Sequence, residues 1–189
     1  MQPQFNTLVI AGASGSGKST IVRHLLHRYP HKFTISVSYT TRTPRENERD
    51  GKDYFFITRD KFMEKVKNNE FIEYAEYAEN YYGTGIEYKT PQPGKILLLE
   101  IEKKGVKSIK ESGINAVYVF IYAPMSILHE RISQRAIITQ DELSKRLMKA
   151  KEENFYGHSS EFDKLINNTL LDSAIKEMEA FIKSVFGFV

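Results

Sequence analysis

One segment near the start of the chain matches the phosphate-binding pattern G-x-x-x-x-G-K-[ST] without a gap. A short apolar, β-branched run precedes it at 7–11, and apolar residues at helical spacing follow it at 20–26. This order predicts a strand, a glycine-rich loop and a helix, in which backbone N–H groups and a helix N-terminus bind phosphate. The residues predicted to bind a nucleotide are Gly12, Ala13, Ser14, Gly15, Ser16, Gly17, Lys18, Ser19 and Thr20.

Two side chains of this segment have defined expected roles. Lys18 can reach the β- and γ-phosphates of a nucleotide, and the Ser19 hydroxyl can ligate Mg²⁺. A glycine-rich turn without a ligand is the alternative interpretation, but the four fixed positions would match by chance in only about one in a hundred chains of this length.

Length and composition limit the kinds of protein that this chain can be. Its 189 residues suit one domain with a subdomain, and the lack of cysteine excludes disulfides and thiolate metal sites. The first residues have no leader pattern, and no apolar run approaches the length of a membrane span. The net charge of +3 lacks the dense basic stripe of a nucleic-acid surface. We therefore expect a soluble, cytoplasmic protein that binds neither nucleic acid nor a membrane.

Strands that alternate with helices predict an α/β fold with a parallel core sheet. Apolar runs predict strands buried on both faces at 96–101 and 117–122, and a weaker strand at 164–167. Helical patterns lie at 125–135, 141–155 and 171–185. The last has one apolar stripe, which predicts a helix facing the core and consists of Leu171, Ala174, Ile175, Met178, Phe181, Ile182 and Val185. We expect a core domain formed by 1–32 and 93–189, which includes the helical segment at about 125–155, and we expect ligands at the carboxyl ends of the strands.

The segment 33–92 has a different pattern and is predicted to be a small, mostly β insertion. An alternating run at 34–39 and aromatic runs at 54–57 and 70–74 predict short strands. The pairs Asp50-Gly51 and Tyr82-Gly83 are predicted turns between them.

The insertion carries sequence blocks that resemble the GMP-binding half of the guanylate kinase family. In chain order these are SVSYTTRTPR at 36–45, GKDYFF at 51–56, FIEY at 71–74 and NYYGT at 80–84. With the phosphate loop and Gly105-Val106, the resemblance extends from about Val9 to Asn167. It implies a P-loop kinase that transfers the γ-phosphoryl group of ATP to GMP with Mg²⁺, and it makes 33–92 the GMP-binding subdomain.

The blocks contain a candidate site for the phosphate of the acceptor. Arg42 and Arg45 lie three residues apart around an extended Thr-Pro pair, which can direct two guanidinium groups toward one anion. The resemblance implies that they bind the GMP phosphate together with the hydroxyls of Tyr54 and Tyr82. A solvated basic turn near Glu48 is the alternative interpretation.

A second group is expected to bind the guanine base. The Glu73 carboxylate can accept hydrogen bonds from N1–H and the 2-amino group of guanine, whereas adenine offers neither donor. The resemblance adds hydroxyl contacts from Ser38 and Thr84 to O6, and a nucleotide contact from Glu102.

Catalysis of phosphoryl transfer depends on alignment and on neutralisation of charge. Arg131 and Arg135 lie four residues apart on one predicted helix, and Arg146 lies on the next. The resemblance implies that the helical segment at about 125–155 is a lid whose arginines close over the ATP phosphates. These three arginines, with Lys18 and Arg42, are therefore the predicted catalytic residues. Solvated helix faces are the alternative interpretation of the lid arginines.

Three segments depart from the family's pattern. Glu100 and Glu102 stand where the family usually has aspartates, and the extra methylene moves each carboxylate by about an ångström. Glu100 is nevertheless the predicted Mg²⁺ ligand beside Ser19. The lid turn at 135–139 has no glycine, and Asn167-Asn168 replaces a frequent Asn-Asp pair. Asn167 is the expected contact on the adenine side.

Two alternative functions stay open at this point. A non-catalytic guanylate-kinase-like module would bind proteins, although such modules tend to lose the phosphate loop. A kinase of the same fold could use another phosphorylated acceptor that has no guanine. The expected ligands are ATP and GMP, with dGMP as a further candidate, and the expected state is a monomer or a weak homodimer.

Overall fold

The computed structural model describes residues 5–77, 79–134 and 139–188, and it contains two β-sheets with helices around them. In chain order the strands are β1 Thr7–Gly12, β2 Phe33–Ile35, β3 Tyr39–Thr40, β4 Phe55–Phe56, β5 Phe71–Tyr77, β6 Asn80–Gly85, β7 Ile96–Glu100, β8 Ala116–Tyr122 and β9 Lys164–Asn167. The helices are α1 Lys18–Arg28, α2 Arg59–Lys67, α3 Lys103–Glu111, α4 Met125–Ser133, α5 Gln140–Gly157 and α6 Leu171–Phe186, with a short 3-10 helix at Ile86–Lys89.

The larger sheet is parallel throughout and has the strand order β2-β7-β1-β8-β9. Every residue of β1 is buried, because helices cover both faces of the sheet. Leu8 and Ile10 pack with α6 on one face, and Val9 and Ala11 pack with α3 on the other. The α/β class and the strands predicted at 96–101, 117–122 and 164–167 are therefore confirmed.

Helix α6 confirms the predicted apolar stripe. Ala174, Met178 and Ile182 are fully buried against the parallel sheet, and Phe186 continues the same face. Only the first residue of the stripe differs, because Leu171 is 37% exposed at the beginning of the helix. The stripe thus attaches the last helix to the core.

The smaller sheet, with strand order β4-β3-β6-β5, lies in the insertion. The alternating run at 34–39 was predicted as one strand of this insertion, and that prediction is wrong. Its first part, β2, pairs in parallel with β7 of the core sheet, and only β3 belongs to the smaller sheet. Phe33 is 3% exposed in the core cluster, so burial of its ring draws this part of the run into the larger sheet.

The predicted turn at Tyr82-Gly83 is also wrong, because both residues lie within β6. A Cβ atom on Gly83 would lie 2.9 Å from Cδ1 of Phe71 and 3.1 Å from Cζ of Phe62. Those two rings stack with centroids 4.5 Å apart. The glycine therefore provides room for aromatic packing on a strand rather than for a reversal of the chain.

Helices α2 and α3 were not predicted. Helix α2 begins after Thr58, whose hydroxyl accepts a hydrogen bond from the Lys61 N–H at 3.3 Å. The insertion is consequently less uniformly β than its sequence pattern indicates.

Helices α4 and α5 lie in the segment predicted to be a lid, and they confirm the helical patterns predicted there. Helix α5 begins with a capping box in which Thr139 and Glu142 satisfy each other's backbone N–H groups. The glycine-free turn lies mostly at 135–138, outside the described residues. Among the described helices, none combines the length and the apolar character that a membrane span requires.

Candidate active site

The phosphate loop connects the carboxyl end of β1 to the first turn of α1, as predicted. Gly17 caps the helix with a φ of 94°, in the left-handed region, and a Cβ atom there would collide with the side-chain amide of Asn168. At the other end of the loop, a Cβ atom on Gly12 would collide with the carbonyl oxygen of Ile121 in β8. Both positions therefore require glycine, and the loop backbone lies close to its neighbours.

Lys18 is held within this loop. Its Nζ donates hydrogen bonds of 2.6 Å to the Gly12 carbonyl and 3.3 Å to the Ala13 carbonyl, and the residue is 8% exposed. The ammonium group thus lies at the helix N-terminus, where its charge and the helix dipole both favour an anion.

The two predicted Mg²⁺ ligands are in direct contact. The Ser19 hydroxyl donates a 2.7 Å hydrogen bond to Oε1 of Glu100. Glu100 is the last residue of β7 and lies beside Ile10 of β1 in the sheet. Although its side chain is one methylene longer than the aspartate usual in the family, its carboxylate still contacts Ser19 of α1. No cluster of three or more acidic or histidine ligands occurs in the described ranges. This donor set suits Mg²⁺, which proteins commonly bind through one or two side chains together with substrate phosphates.

Glu73 occupies a buried position on β5. Thr84, its register partner on β6, donates a 2.6 Å hydrogen bond to Oε1 of Glu73. Burial, and to a smaller extent the nearby Glu102 carboxylate, raise the pKa of Glu73 to about 7, although the hydrogen bonds from Thr84 oppose the shift. A Cβ atom on Gly105 would lie 2.5 Å from Oε2, so the glycine provides the space for this carboxylate against α3.

The predicted anion-binding residues also lie together. The Arg42 guanidinium lies 5.5 Å from the ring centroid of Tyr54 and forms a 2.9 Å ion pair with Glu48. The rings of Tyr54 and Tyr82 meet edge to face with centroids 6.0 Å apart. Burial raises the pKa of the Tyr54 hydroxyl, which therefore stays protonated and able to donate to a phosphate.

One cleft joins these groups. The phosphate loop lines one side of it, and strands and loops of the smaller sheet line the other. Its lining residues include Ala13, Ser14, Gly15, Gly17, Lys18, Ser19, Ser38, Arg42, Arg45, Tyr54, Glu73, Tyr82, Glu100 and Glu102. Thr84 is fully buried and touches the cleft through its hydrogen bond to Glu73.

The lid arginines approach the same region. Arg131 Nη1 lies 3.4 Å from the carbonyl oxygen of Gly15, and its Nη2 donates a 3.1 Å hydrogen bond to the carbonyl of Asn168. Arg146 lines an adjoining cavity with Ser14, Arg42 and Arg45. These contacts contradict the interpretation of Arg131 as part of a solvated helix face. The predicted catalytic residue Arg135 lies outside the described residues.

The comparisons with known proteins agree with this arrangement. The sequence model of the guanylate kinase family matches residues 4–185. A guanylate kinase of Bacillus cereus is 39% identical over 178 residues, covering 93% of this chain and 86% of the relative. One of Synechocystis is 40% identical over 179 residues, covering 93% and 92%, and one of Sus scrofa is 38% identical over 173 residues, covering 88% and 86%.

The chain belongs to the guanylate kinase family. A solved guanylate kinase from Anaplasma phagocytophilum superposes with a TM-score of 0.75 at 27% identity, covering 96% of this chain and 86% of that one. A shikimate kinase from Acinetobacter baumannii, solved in complex with shikimate, has a TM-score of 0.50 at 12% identity, covering 97% and 94%. That second likeness shows the shared P-loop kinase fold alone.

In this guanylate kinase family member, the two asparagines that follow one another at the end of β9 have different surroundings, and the adenine contact expected of Asn167 stays a prediction. The side chain of Asn167 is exposed, and its Oδ1 accepts hydrogen bonds from the backbone N–H and the hydroxyl of Thr169. The next residue, Asn168, is 1% exposed and donates a 2.7 Å hydrogen bond to the Ser16 carbonyl. Sequence position placed both residues at the end of β9, but it did not show which side chain turns toward the loop.

Two acidic residues of the site were also not predicted. Glu48 pairs with Arg42, and Glu153 of α5 is 3% exposed near Glu102 and Lys18. Burial, and then the charge of Glu102, raise the pKa of Glu153. A glutamate in the middle of a charged helix carries no sequence signal that distinguishes it from its exposed neighbours.

Proposed function

We propose that this protein transfers the γ-phosphoryl group of ATP to GMP and releases ADP and GDP. The observation that carries the proposal is the buried Glu73 carboxylate in the same cleft as the phosphate loop. Burial of a carboxylate is costly unless hydrogen-bond donors contact its oxygens. The Thr84 hydroxyl donates to one oxygen of Glu73. The N1–H and 2-amino groups of guanine would supply the remaining donors.

The acceptor phosphate would bind to the basic and phenolic groups of the cleft. Arg42 and Arg45 supply guanidinium groups that suit the tetrahedral anion, and Tyr54 and Tyr82 supply hydroxyl donors. The proposed subsites for the base and the phosphate both lie on the smaller sheet and its loops. We therefore propose that the GMP-binding subdomain is the part of 33–92 that follows β2.

The donor phosphates would bind at the phosphate loop. Lys18 supplies charge at the helix N-terminus, and Ser19 and Glu100 would hold Mg²⁺, which offsets phosphate charge when it is bound. Arg131 from the lid approaches the loop carbonyls, and Arg146 lines the adjoining cavity beside Arg42 and Arg45. We propose that these cations neutralise charge during in-line transfer, while the cleft aligns the two nucleotides.

A panel of acceptors tests the proposal. Purified protein is mixed with ATP, Mg²⁺ and each of GMP, dGMP, AMP, CMP, UMP and ribose bisphosphate, and ADP release is followed. We expect rapid ADP release with GMP and little with the other bases. Release with ribose bisphosphate and not with GMP would identify a different acceptor, and release with none of them would favour a protein-binding module.

A further inference from the structure

We propose that Glu48 is a positioning residue that presents Arg42 and Arg45 to the phosphate of the acceptor. The inference rests on the proposed function, because it assumes that these two arginines bind that phosphate. Glu48 itself is assigned no contact with the substrate.

A single carboxylate connects the two arginine positions. Oε1 of Glu48 accepts a 2.9 Å hydrogen bond from Nη2 of Arg42, and Oε2 accepts a 2.8 Å hydrogen bond from the backbone N–H of Arg45. The Glu48 N–H returns a 3.1 Å hydrogen bond to the Arg45 carbonyl, which closes a tight turn. Asn47 within this turn has a φ of 70°, in the left-handed region that asparagine tolerates. The carboxylate thus stabilises the turn and orients one guanidinium at the same time.

The Arg42 side chain is constrained on its other sides as well. Its Nη1 donates a 2.7 Å hydrogen bond to the Thr43 carbonyl, and its guanidinium carbon lies 5.5 Å and 5.7 Å from the ring centroids of Tyr54 and Phe56. The side chain is 14% exposed and that of Glu48 is 18% exposed. A long, mobile arginine side chain loses considerable rotamer entropy when it binds a ligand. Because Arg42 is already ordered, it loses less entropy on binding, and this favours binding of the anion.

The protonation state of Glu48 fits this role. Partial burial alone would raise its pKa, but the hydrogen bonds from Arg42 and from the Arg45 N–H outweigh burial and lower it. Glu48 therefore stays ionised at neutral pH and continues to pair with Arg42. One oxygen of Glu48 accepts from Nη2 of Arg42, and the other accepts from the backbone of the turn. The Nε atom of Arg42 is buried and has no hydrogen-bond partner among the described residues.

The test compares Glu48→Gln with a matched control, Glu46→Gln, two residues away on the exposed part of the same turn. The dissociation constants of GMP, of guanosine and of a non-hydrolysable ATP analogue are measured for both variants and the parent. Glutamine keeps the shape of the side chain but turns one acceptor into a donor, so one of the two hydrogen bonds is lost. We expect GMP to bind about 10- to 100-fold more weakly to Glu48→Gln, with guanosine and the ATP analogue unchanged and Glu46→Gln like the parent.

Comparing guanosine with GMP distinguishes positioning from general damage. Equal loss of affinity for guanosine and GMP would show a merely structural role and overturn the inference. Tighter binding of GMP would show that Glu48 competes with the phosphate, and unchanged binding would show that Arg42 is oriented without it; either result overturns the inference. A parent that binds no GMP would contradict the proposed function and this inference together, whereas the other results leave the proposed function intact.

Discussion

The hydroxyl of Thr84 donates a 2.6 Å hydrogen bond to the carboxylate of Glu73 across two neighbouring antiparallel strands. The pair lies in a cleft shared with the phosphate loop, and Glu73 is 7% exposed. A hydroxyl that already donates to one carboxylate oxygen fixes the orientation of the group, and it leaves acceptor capacity for a ligand.

The first prediction concerns base recognition. In Glu73→Gln one carboxylate acceptor becomes a donor that faces a guanine N–H group, so one hydrogen bond is lost and one contact becomes repulsive. An unsatisfied buried polar group costs about 1 to 3 kcal/mol, which corresponds to a fall of roughly 5- to 150-fold in kcat/KM for GMP. Binding of an ATP analogue should be unchanged. Glu76→Gln, on the exposed face of the same strand, is the control. A Glu73→Gln enzyme as active as the parent would show that the base is recognised elsewhere.

The second prediction concerns pH. Burial raises the pKa of Glu73 to about 7, so the free enzyme protonates this group as the pH falls through neutrality. Protonation removes an acceptor that guanine requires, and kcat/KM for GMP should therefore decrease below about pH 7. The phosphate of GMP also titrates in this pH range. The two effects can be separated with Glu73→Gln, because the pH profile of this variant should keep the change due to the phosphate and lose the change due to Glu73. Identical pH profiles for parent and variant would contradict the assignment.

The third prediction concerns Lys18. Its ammonium group should stabilise charge that develops between the β- and γ-phosphates, so Lys18→Ala should lower kcat by about 10²-fold or more. The residue bonds only the carbonyls of Gly12 and Ala13 in the described structure, and the circular dichroism spectrum should stay close to that of the parent. ADP release by the variant at the parental rate would refute a catalytic role.

The fourth prediction concerns Gly105. Alanine in a helix interior is favoured over glycine by about 1 kcal/mol, but the added Cβ atom at this position would lie 2.5 Å from Oε2 of Glu73. Gly105→Ala should therefore displace the carboxylate and raise KM for GMP by roughly 5- to 100-fold, with ATP-analogue binding preserved. Lys107→Ala, on the exposed side of the same helix, should leave KM unchanged. Equal KM values for Gly105→Ala and the parent would show that α3 can move aside.

The fifth prediction concerns motion. The proposed GMP-binding subdomain and the predicted lid lie beside one phosphate loop, and in-line transfer would require both to approach it. Saturation with GMP and an ATP analogue together should decrease the radius of gyration measured by X-ray scattering, and either ligand alone should decrease it less. A scattering profile that both ligands leave unchanged would contradict closure.

Much of the core could be predicted because its strands are buried on both faces. Such strands are continuous apolar runs in the sequence, and β7 and β8 lie where the runs are. The edge strand β9 has a shorter apolar pair and therefore gave a weaker signal. The smaller sheet has strands as short as two residues, for which local pattern is a weak guide. There the aromatic packing of Phe62 and Phe71 against Gly83 decides that Tyr82 and Gly83 form a strand.

Spacing along the chain was enough to predict the phosphate loop, the order of the family blocks and the residue types expected to contact each nucleotide. Which side chains share a cleft, by contrast, is set by the fold. It placed Asn168 rather than Asn167 at the phosphate loop, and β2 in the core sheet. It also paired Glu48 with Arg42, six residues away, through an irregular turn. These contacts depend on side-chain direction and long-range burial, which no repeating pattern along a chain encodes.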